Sequence, residues 1–257
     1  MRTYLDTILE RHREVAAADR RSLDALVAEA RDQPSTRGFR DALVASQQLA
    51  VISEIKRRSP SKGDLNAGLD PADMARTYER GGAACLSVLT DAEFFGGSIN
   101  DLQAARSACA LPVLRKDFTV SLHDVADARL MGADCVLLIA AALAPAELAE
   151  MHELAIDIGI DALVEIHDER ELEAALSAGA SLIGVNQRDL VTFEVDHERA
   201  IRVGRVIPDT VVRVAESGVR GSEDARALHA AGFDAVLVGE SLVTSGDPAA
   251  AIAAMIG

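Results

Sequence analysis

Gly132-Ala133-Asp134-Cys135-Val136-Leu137-Leu138-Ile139-Ala140 reads as the end of one helix followed by a complete strand. Cys135 to Ala140 is a run of apolar side chains with no polar alternation, the pattern of a parallel strand covered on both faces. The glycine ahead of it suits the position just past a helix C-terminus, where a left-handed backbone costs other residues more. The same step recurs at Gly82-Ala83, Gly159-Ile160-Asp161, Gly179-Ala180 and Gly232-Phe233-Asp234.

Working outward from these steps predicts eight strands: Leu49–Ile55, Cys85–Thr90, Pro112–Lys116, Cys135–Ala140, Ala162–Ile166, Leu182–Asn186, Val211–Ala215 and Ala235–Gly239. They recur at intervals of roughly 20 to 35 residues and alternate with amphipathic segments, which marks a repeated strand–helix unit. The expected fold class is α/β, a (β/α)8 TIM barrel with additional N-terminal helices. A doubly wound open sheet is the alternative that pattern alone leaves open. Before the barrel, Leu5, Ile8, Leu9, His12, Val15 and Ala16, then Leu23, Leu26, Val27 and Ala30, recur at helical spacing, and Ser22 can cap the second segment. Two helices are expected there, ended by Gln33 to Gly38. The chain is read as one domain over 1–257, with a helical extension at 1–48 and the barrel at 49–257.

The 257 residues match the size of one such barrel, about 250 residues. Hydrophobic residues make up 49% but aromatics only 3%, with no Trp, so the core is built from Ala, Leu, Val and Ile. A formal net charge of -15 argues against nucleic acid or an anionic membrane as a main partner. Cys85, Cys109 and Cys135 have neither CxxC spacing nor a nearby His, so they read as small core residues in a reducing compartment. The first residues carry charge too early for a signal peptide, and the longest apolar run is broken by Pro145. A soluble cytoplasmic protein is expected.

Residues two apart on a strand share a face. That phase puts Glu54 and Lys56 on the Ile52 side, Lys116 with Leu114, Glu165 with Leu163, Asn186 with Gly184, and Glu216 with Val212 and Val214. Each sits at the C-terminal end of its strand, the end that carries chemistry in barrel enzymes. Charges of both signs gathered in one mouth can offset one another's burial. Glu216-Ser217-Gly218-Val219-Arg220-Gly221 and Gly239-Glu240-Ser241 place small residues between a strand and a helical segment, as expected of a phosphate site on backbone N–H groups. At Glu240 the side chain has to point away from such an anion. Arg57, Arg58 and Lys62 extend the basic stretch after Lys56, and Arg57 and Arg58 read as a surface run.

Five segments carry a resemblance. Ile52 to Ser61 (ISEIKRRSPS), Leu114 to Phe118 (LRKDF), Leu163 to His167 (LVEIH), Ile183 to Leu190 (IGVNQRDL) and Ala215 to Val219 (AESGV) resemble the indole-3-glycerol phosphate synthase family, in order and across essentially the whole chain. The resemblance implies ring closure of 1-(2-carboxyphenylamino)-1-deoxyribulose 5-phosphate to indole-3-glycerol phosphate, with loss of CO2 and water, in tryptophan biosynthesis. It implies no cofactor and no metal. Lys116 would be the general acid on the substrate ketone, Glu165 the base or second acid in dehydration, and Lys56 a ligand of substrate carboxylate or phosphate. Glu54, Asn186 and Glu216 would orient these groups. Ser59, Ser217, Gly218, Gly239 and Ser241 would hold phosphate, and Phe95, Phe118 and Leu137 would pack on the anthranilate ring with Arg188 nearby. Gln187 falls where the family varies.

The chemistry asks for such residues independently. Attack of an electron-rich arene on a ketone builds negative charge on oxygen, which an ammonium can stabilise or protonate. Free lysine, at about 10.4, is a weak acid, so Lys56 beside Lys116 is expected to lower the latter. A phosphoribosylanthranilate isomerase, or a non-catalytic barrel that binds a phosphometabolite, is the competing reading. A monomer is expected, with other tryptophan-pathway enzymes as the partners to consider.

Overall fold

The computed structural model describes residues 3–59, 62–188 and 195–257. Pro60, Ser61, Asp189 and Leu190 of the motifs quoted above lie outside them. Eight parallel strands close into a barrel: β1 (Ala50–Ile55), β2 (Cys85–Leu89), β3 (Val113–Lys116), β4 (Cys135–Ile139), β5 (Asp161–Ile166), β6 (Leu182–Asn186), β7 (Val212–Glu216) and β8 (Ala235–Val238). Each bound falls within one residue of the sequence expectation. Closure is made by β1 pairing with β8, Ala50 opposite Ala235, while its other edge pairs with β2, Ile52 opposite Cys85. The open-sheet alternative is excluded.

The helices are α1 (Tyr4–Ala18), α2 (Leu23–Arg31), α3 (Phe39–Val44), α4 (Pro71–Arg80), α5 (Ile99–Ala108), α6 (Leu122–Leu130), α7 (Pro145–Asp157), α8 (Glu169–Ser177), α9 (His197–Gly204), α10 (Ser222–Ala230), α11 (Glu240–Val243) and α12 (Pro248–Ile256). The five step glycines, Gly82, Gly132, Gly159, Gly179 and Gly232, all have positive φ, as their place after a helix requires. The aspartates of the step also have a structural job. Asp134 accepts from Val113 N, Asp161 from Arg40 N and Asp234 from Arg213 N, at 2.8–2.9 Å. Each ties its strand entry to a neighbouring segment's backbone.

Buried apolar side chains form two groups. One lies between the barrel wall and its helices. The other fills the barrel itself: Ile52, Cys85, Leu114, Leu137, Leu163, Val214 and Leu237, closed from below by Phe39 and Leu43 of α3. Helix α3 is an element the sequence reading missed. Six residues are too short for a periodic signal, yet Phe39 is fully buried beneath the strands. Cys85 and Cys135 are buried free thiols of the interior, as expected, whereas Cys109, at the end of α5, is only half-buried.

The N-terminal helices are stitched to the barrel by charge. Arg21 pairs with Asp127 and Arg31 with Asp157, and Arg37 donates to the carbonyls of Arg106, Cys109 and Leu111. Ser22 caps α2 through Ala25 N, as the sequence suggested. Arg57 and Arg58 correct an expectation. Arg57 holds Asp101 with two guanidinium nitrogens and also donates to Leu69 O, while Arg58 donates to the carbonyls of Ala92 and Glu93. They tether the loop after β1 to its neighbour and do not form a solvated surface run. A two-residue antiparallel pair, Arg58–Ser59 against Gly63–Asp64, shapes the same loop. Among the described residues no helix is long and apolar enough to cross a membrane.

Candidate active site

A cavity of about 730 Å³ opens at the C-terminal end of the barrel, within the range of small-molecule sites. All fifteen residues singled out from the sequence line it. Lys56, Glu54, Lys116, Glu165, Asn186 and Glu216 lie on the strand ends. Phe95, Phe118, Leu137, Ser59, Arg188, Ser217, Gly218, Gly239 and Ser241 come from the strand walls and following loops.

The strand phase gathers the charges into contact. Lys116 Nζ donates to Glu165 Oε2 at 2.9 Å and to Glu216 Oε2 at 3.2 Å. Asn186 Nδ2 donates to Glu165 Oε1 at 3.1 Å, so both Glu165 oxygens are held. Lys56 Nζ donates to Glu54 Oε1 at 2.5 Å, and Ser87 Oγ reaches Glu54 Oε2 at 3.5 Å. Glu54, Glu165, Asn186 and Glu216 are buried. Two glycines make the room. A Cβ at Gly184 would stand 1.9 Å from Glu216 Oε1, and one at Gly239 would stand 2.4 Å from Glu54 Oε1. Glycine therefore stands within β6 and directly after β8, where the carboxylates cross the barrel mouth.

The electrostatics correct one expectation. Burial alone would lower the Lys116 ammonium, but the charges of Glu165, Glu216 and Glu54 outweigh it and push it up. Lys56 is bound to Glu54 and does not act as the depressing neighbour. Burial raises Glu165 as well, yet Lys116 and His167 hold it far below the carboxylate range. Glu216 goes the other way, pushed up to about 8 by burial and by Glu165, with Lys116 offsetting only part. Two carboxylates thus share one ammonium, and the less favoured one keeps its proton. Among the described residues Glu216 Oε1, which is buried, has no hydrogen-bond partner.

On the opposite wall, the loops after β7 and β8 meet. Ser217 has φ 66, a left-handed conformation uncommon for a non-glycine residue, and Gly218 follows at φ 73. Helix α11 begins at Glu240, directly after Gly239, so the backbone N–H groups of Glu240 and Ser241 have no partner within the helix. The Ser241 hydroxyl itself donates to Val219 O at 2.9 Å and ties the two loops together, leaving its N–H as the group available to an anion. Among the described residues the buried Ser59 Oγ has no hydrogen-bond partner. The Glu240 carboxylate approaches Lys62 Nζ at 3.5 Å.

Some lining residues escaped the sequence reading. Tyr4, Leu5 and Ile8 of α1 form part of the wall. The spacing of Leu5 and Ile8 signalled a helix, but not which end of the barrel it covers. His197 also lines the cavity, and its Nδ1 lies 2.7 Å from Gln187 Oε1. Gln187 is fully buried and donates to Ser217 O at 2.9 Å, supporting the left-handed turn from below.

The family profile for indole-3-glycerol phosphate synthase matches residues 5–255. The chain is 50% identical to an indole-3-glycerol phosphate synthase of Mycolicibacterium vanbaalenii over 99% of this chain and 94% of that one. It is 53% identical to indole-3-glycerol phosphate synthase 2 of Streptomyces coelicolor, over 87% and 86%. A third relative, the indole-3-glycerol phosphate synthase of Rhodopirellula baltica, shares 45% identity over 99% of both chains. Among solved structures, a thiamine phosphate pyrophosphorylase of Pyrococcus furiosus superposes with a TM-score of 0.61 at 15% identity, over 82% of this chain and 95% of that one, a likeness of fold alone. With a profile match over nearly the full length and relatives at about half identity, the chain belongs to the indole-3-glycerol phosphate synthase family.

Proposed function

We propose that this chain closes the indole ring of indole-3-glycerol phosphate from 1-(2-carboxyphenylamino)-1-deoxyribulose 5-phosphate, releasing CO2 and water. The observation that carries the reading is the Lys116 ammonium bridging Glu165 and Glu216 in a cavity whose far wall offers backbone N–H groups from two glycine-bearing loops. The phosphate lies against Ser59, Ser217, Gly218, Gly239 and Ser241, and the aryl ring lies against Phe95, Phe118 and Leu137 with Arg188 at its edge. Lys56 meets the substrate carboxylate or phosphate after exchanging its partner Glu54. The α1 wall makes the N-terminal segment part of the same working unit.

The ring carbon bearing the carboxylate attacks the ketone carbon, and the carbonyl electrons move to oxygen. Lys116 donates a proton to that oxygen. A firmly held ammonium is a weak acid, but an alkoxide is nearly as basic as hydroxide (water pKa about 15.7), so the transfer is downhill once charge has formed. Breaking the bond to the carboxylate releases CO2 and returns the electrons to the ring. The new hydroxyl then leaves as water, protonated by one acid while a carboxylate removes a proton from the methylene beside nitrogen. Glu165, ionised and oriented by Asn186, suits the base. Glu216, holding a proton near neutral pH, and Glu54 orient the ammonium groups.

Incubating the purified chain with the carboxyphenylamino-deoxyribulose phosphate while following indole fluorescence tests the reading. Turnover without added metal or cofactor is expected. A phosphoribosylanthranilate isomerase or a non-catalytic binder would leave the substrate unchanged.

A further inference from the structure

His12 sits on the face of α1 that meets the barrel mouth, yet it does not line the cavity. Its Nε2 lies 3.0 Å from Asp91 Oδ2 and 3.9 Å from Asp117 Oδ1, and its ring centroid is 5.5 Å from that of Phe118. Both carboxylates organise the loops that carry the aromatic wall. Asp91 Oδ1 accepts from the backbone N–H of Phe94 at 2.6 Å and of Phe95 at 3.0 Å. Asp117 directly follows Lys116; its Oδ1 accepts from Phe118 N at 2.9 Å and its Oδ2 from Thr90 Oγ1 and Arg115. Phe95 and Phe118 lie 6.1 Å apart, and α1 reaches the same wall through Tyr4, 5.9 Å from Phe94.

We infer that His12 is a positioning residue, a clasp that binds α1 to the loops after β2 and β3 and thereby sets the affinity of the aromatic wall for the substrate's aryl end. The inference rests on the function proposed above. It differs from a packing role because the clasp is electrostatic. Asp91 and Asp117 face the imidazole from the two loops, Asp124 of α6 lies beyond them, and Arg115 neutralises only the Asp117 side. On α1 itself Arg11 is turned to Glu93 and Glu14. Burial works against the charged imidazole, but its bond to Asp91 and the charges of Asp117 and Asp124 outweigh this and hold the proton more tightly than in free histidine. The charged clasp is therefore fully present below the ordinary imidazole value and is lost as pH rises through the raised one.

The test compares His12→Phe, which keeps the ring packing, and His12→Lys, which keeps a charge at alkaline pH. Steady-state turnover of the carboxyphenylamino-deoxyribulose phosphate is measured across pH, together with amide hydrogen exchange over residues 4–18. In His12→Phe, KM is expected to rise about tenfold near pH 6.5, the size of one lost charged hydrogen bond, with kcat nearly unchanged. The KM ratio to wild type is expected to shrink at high pH, where wild type has lost the clasp as well. His12→Lys should keep a low KM where that of wild type climbs, and exchange over α1 should quicken only in His12→Phe. A pH-independent KM ratio for His12→Phe, or α1 exchange equal to wild type, overturns the clasp. If wild type shows no turnover, the proposed function fails, and the exchange measurement still decides the clasp.

Discussion

Replacing Glu216 with Gln should make the folded chain more stable in alkaline solution and leave it nearly unchanged in mild acid. Glu216 is 1% exposed and shares Lys116 with Glu165. Burial and the Glu165 charge raise it from 4.5 to about 8. Between those values the folded chain holds one proton more than the unfolded chain, so stability falls as pH rises through the window. At about 1.36 kcal/mol per pH unit the displacement corresponds to roughly 5 kcal/mol, and Lys116 leaning toward whichever carboxylate is charged reduces this to roughly 2–3 kcal/mol. The substituted amide is neutral throughout. Its carbonyl can accept from Lys116, and its NH2 can donate to Glu165 as a protonated carboxyl would. Glu165 titrates below this range, and of the histidines His167 feels the Glu216 charge, so the difference between the two proteins reports position 216 together with that coupling. Urea unfolding at about pH 5 and about pH 9 reads it out. The variant is expected to match wild type within about 1 kcal/mol at the acid end and to exceed it by roughly 2–3 kcal/mol at the alkaline end. Parallel stability curves, or a variant destabilised at every pH, would refute the assignment of the shared proton to Glu216.

Two further outcomes follow from packing. Gly184→Ala puts a methyl 1.9 Å from Glu216 Oε1, and turnover should fall sharply while thermal unfolding shows a loss of about 1–3 kcal/mol. Phe39→Ala empties the floor of the barrel, where the ring is fully buried; denaturant unfolding should show a loss of about 3–5 kcal/mol with substrate KM little changed, because the ring lies at the end away from the cavity.

The barrel was legible because five of the eight strands follow the same punctuation, an apolar run introduced by a glycine that the structure shows with positive φ. The mouth was legible because strand phase is strict. A polar residue two positions beyond Leu114 or Leu163 has to share that residue's face, and Lys116 and Glu165 accordingly meet at 2.9 Å. What stayed hidden depends on contacts distant in the chain. Helix α3 has too few residues to show a period. The Arg57 tether needs Asp101, 44 residues away, and in sequence it looks like any basic run. His12 read as one more position on an apolar face, because Asp91 and Asp117 are brought to it only by docking of α1. The protonation of Lys116 was misjudged for a similar reason: phase placed a second lysine nearby, but only the folded distances show that carboxylates are its hydrogen-bond partners.

Lys116→Ala tests the assigned chemistry most directly, measured as kcat and KM for the carboxyphenylamino-deoxyribulose phosphate by indole fluorescence. If Lys116 protonates the ketone oxygen as the bond forms, kcat should fall by about 10²–10⁴ with KM changed far less. A variant that turns over within a few-fold of wild type would contradict the role given to the ammonium at the end of β3.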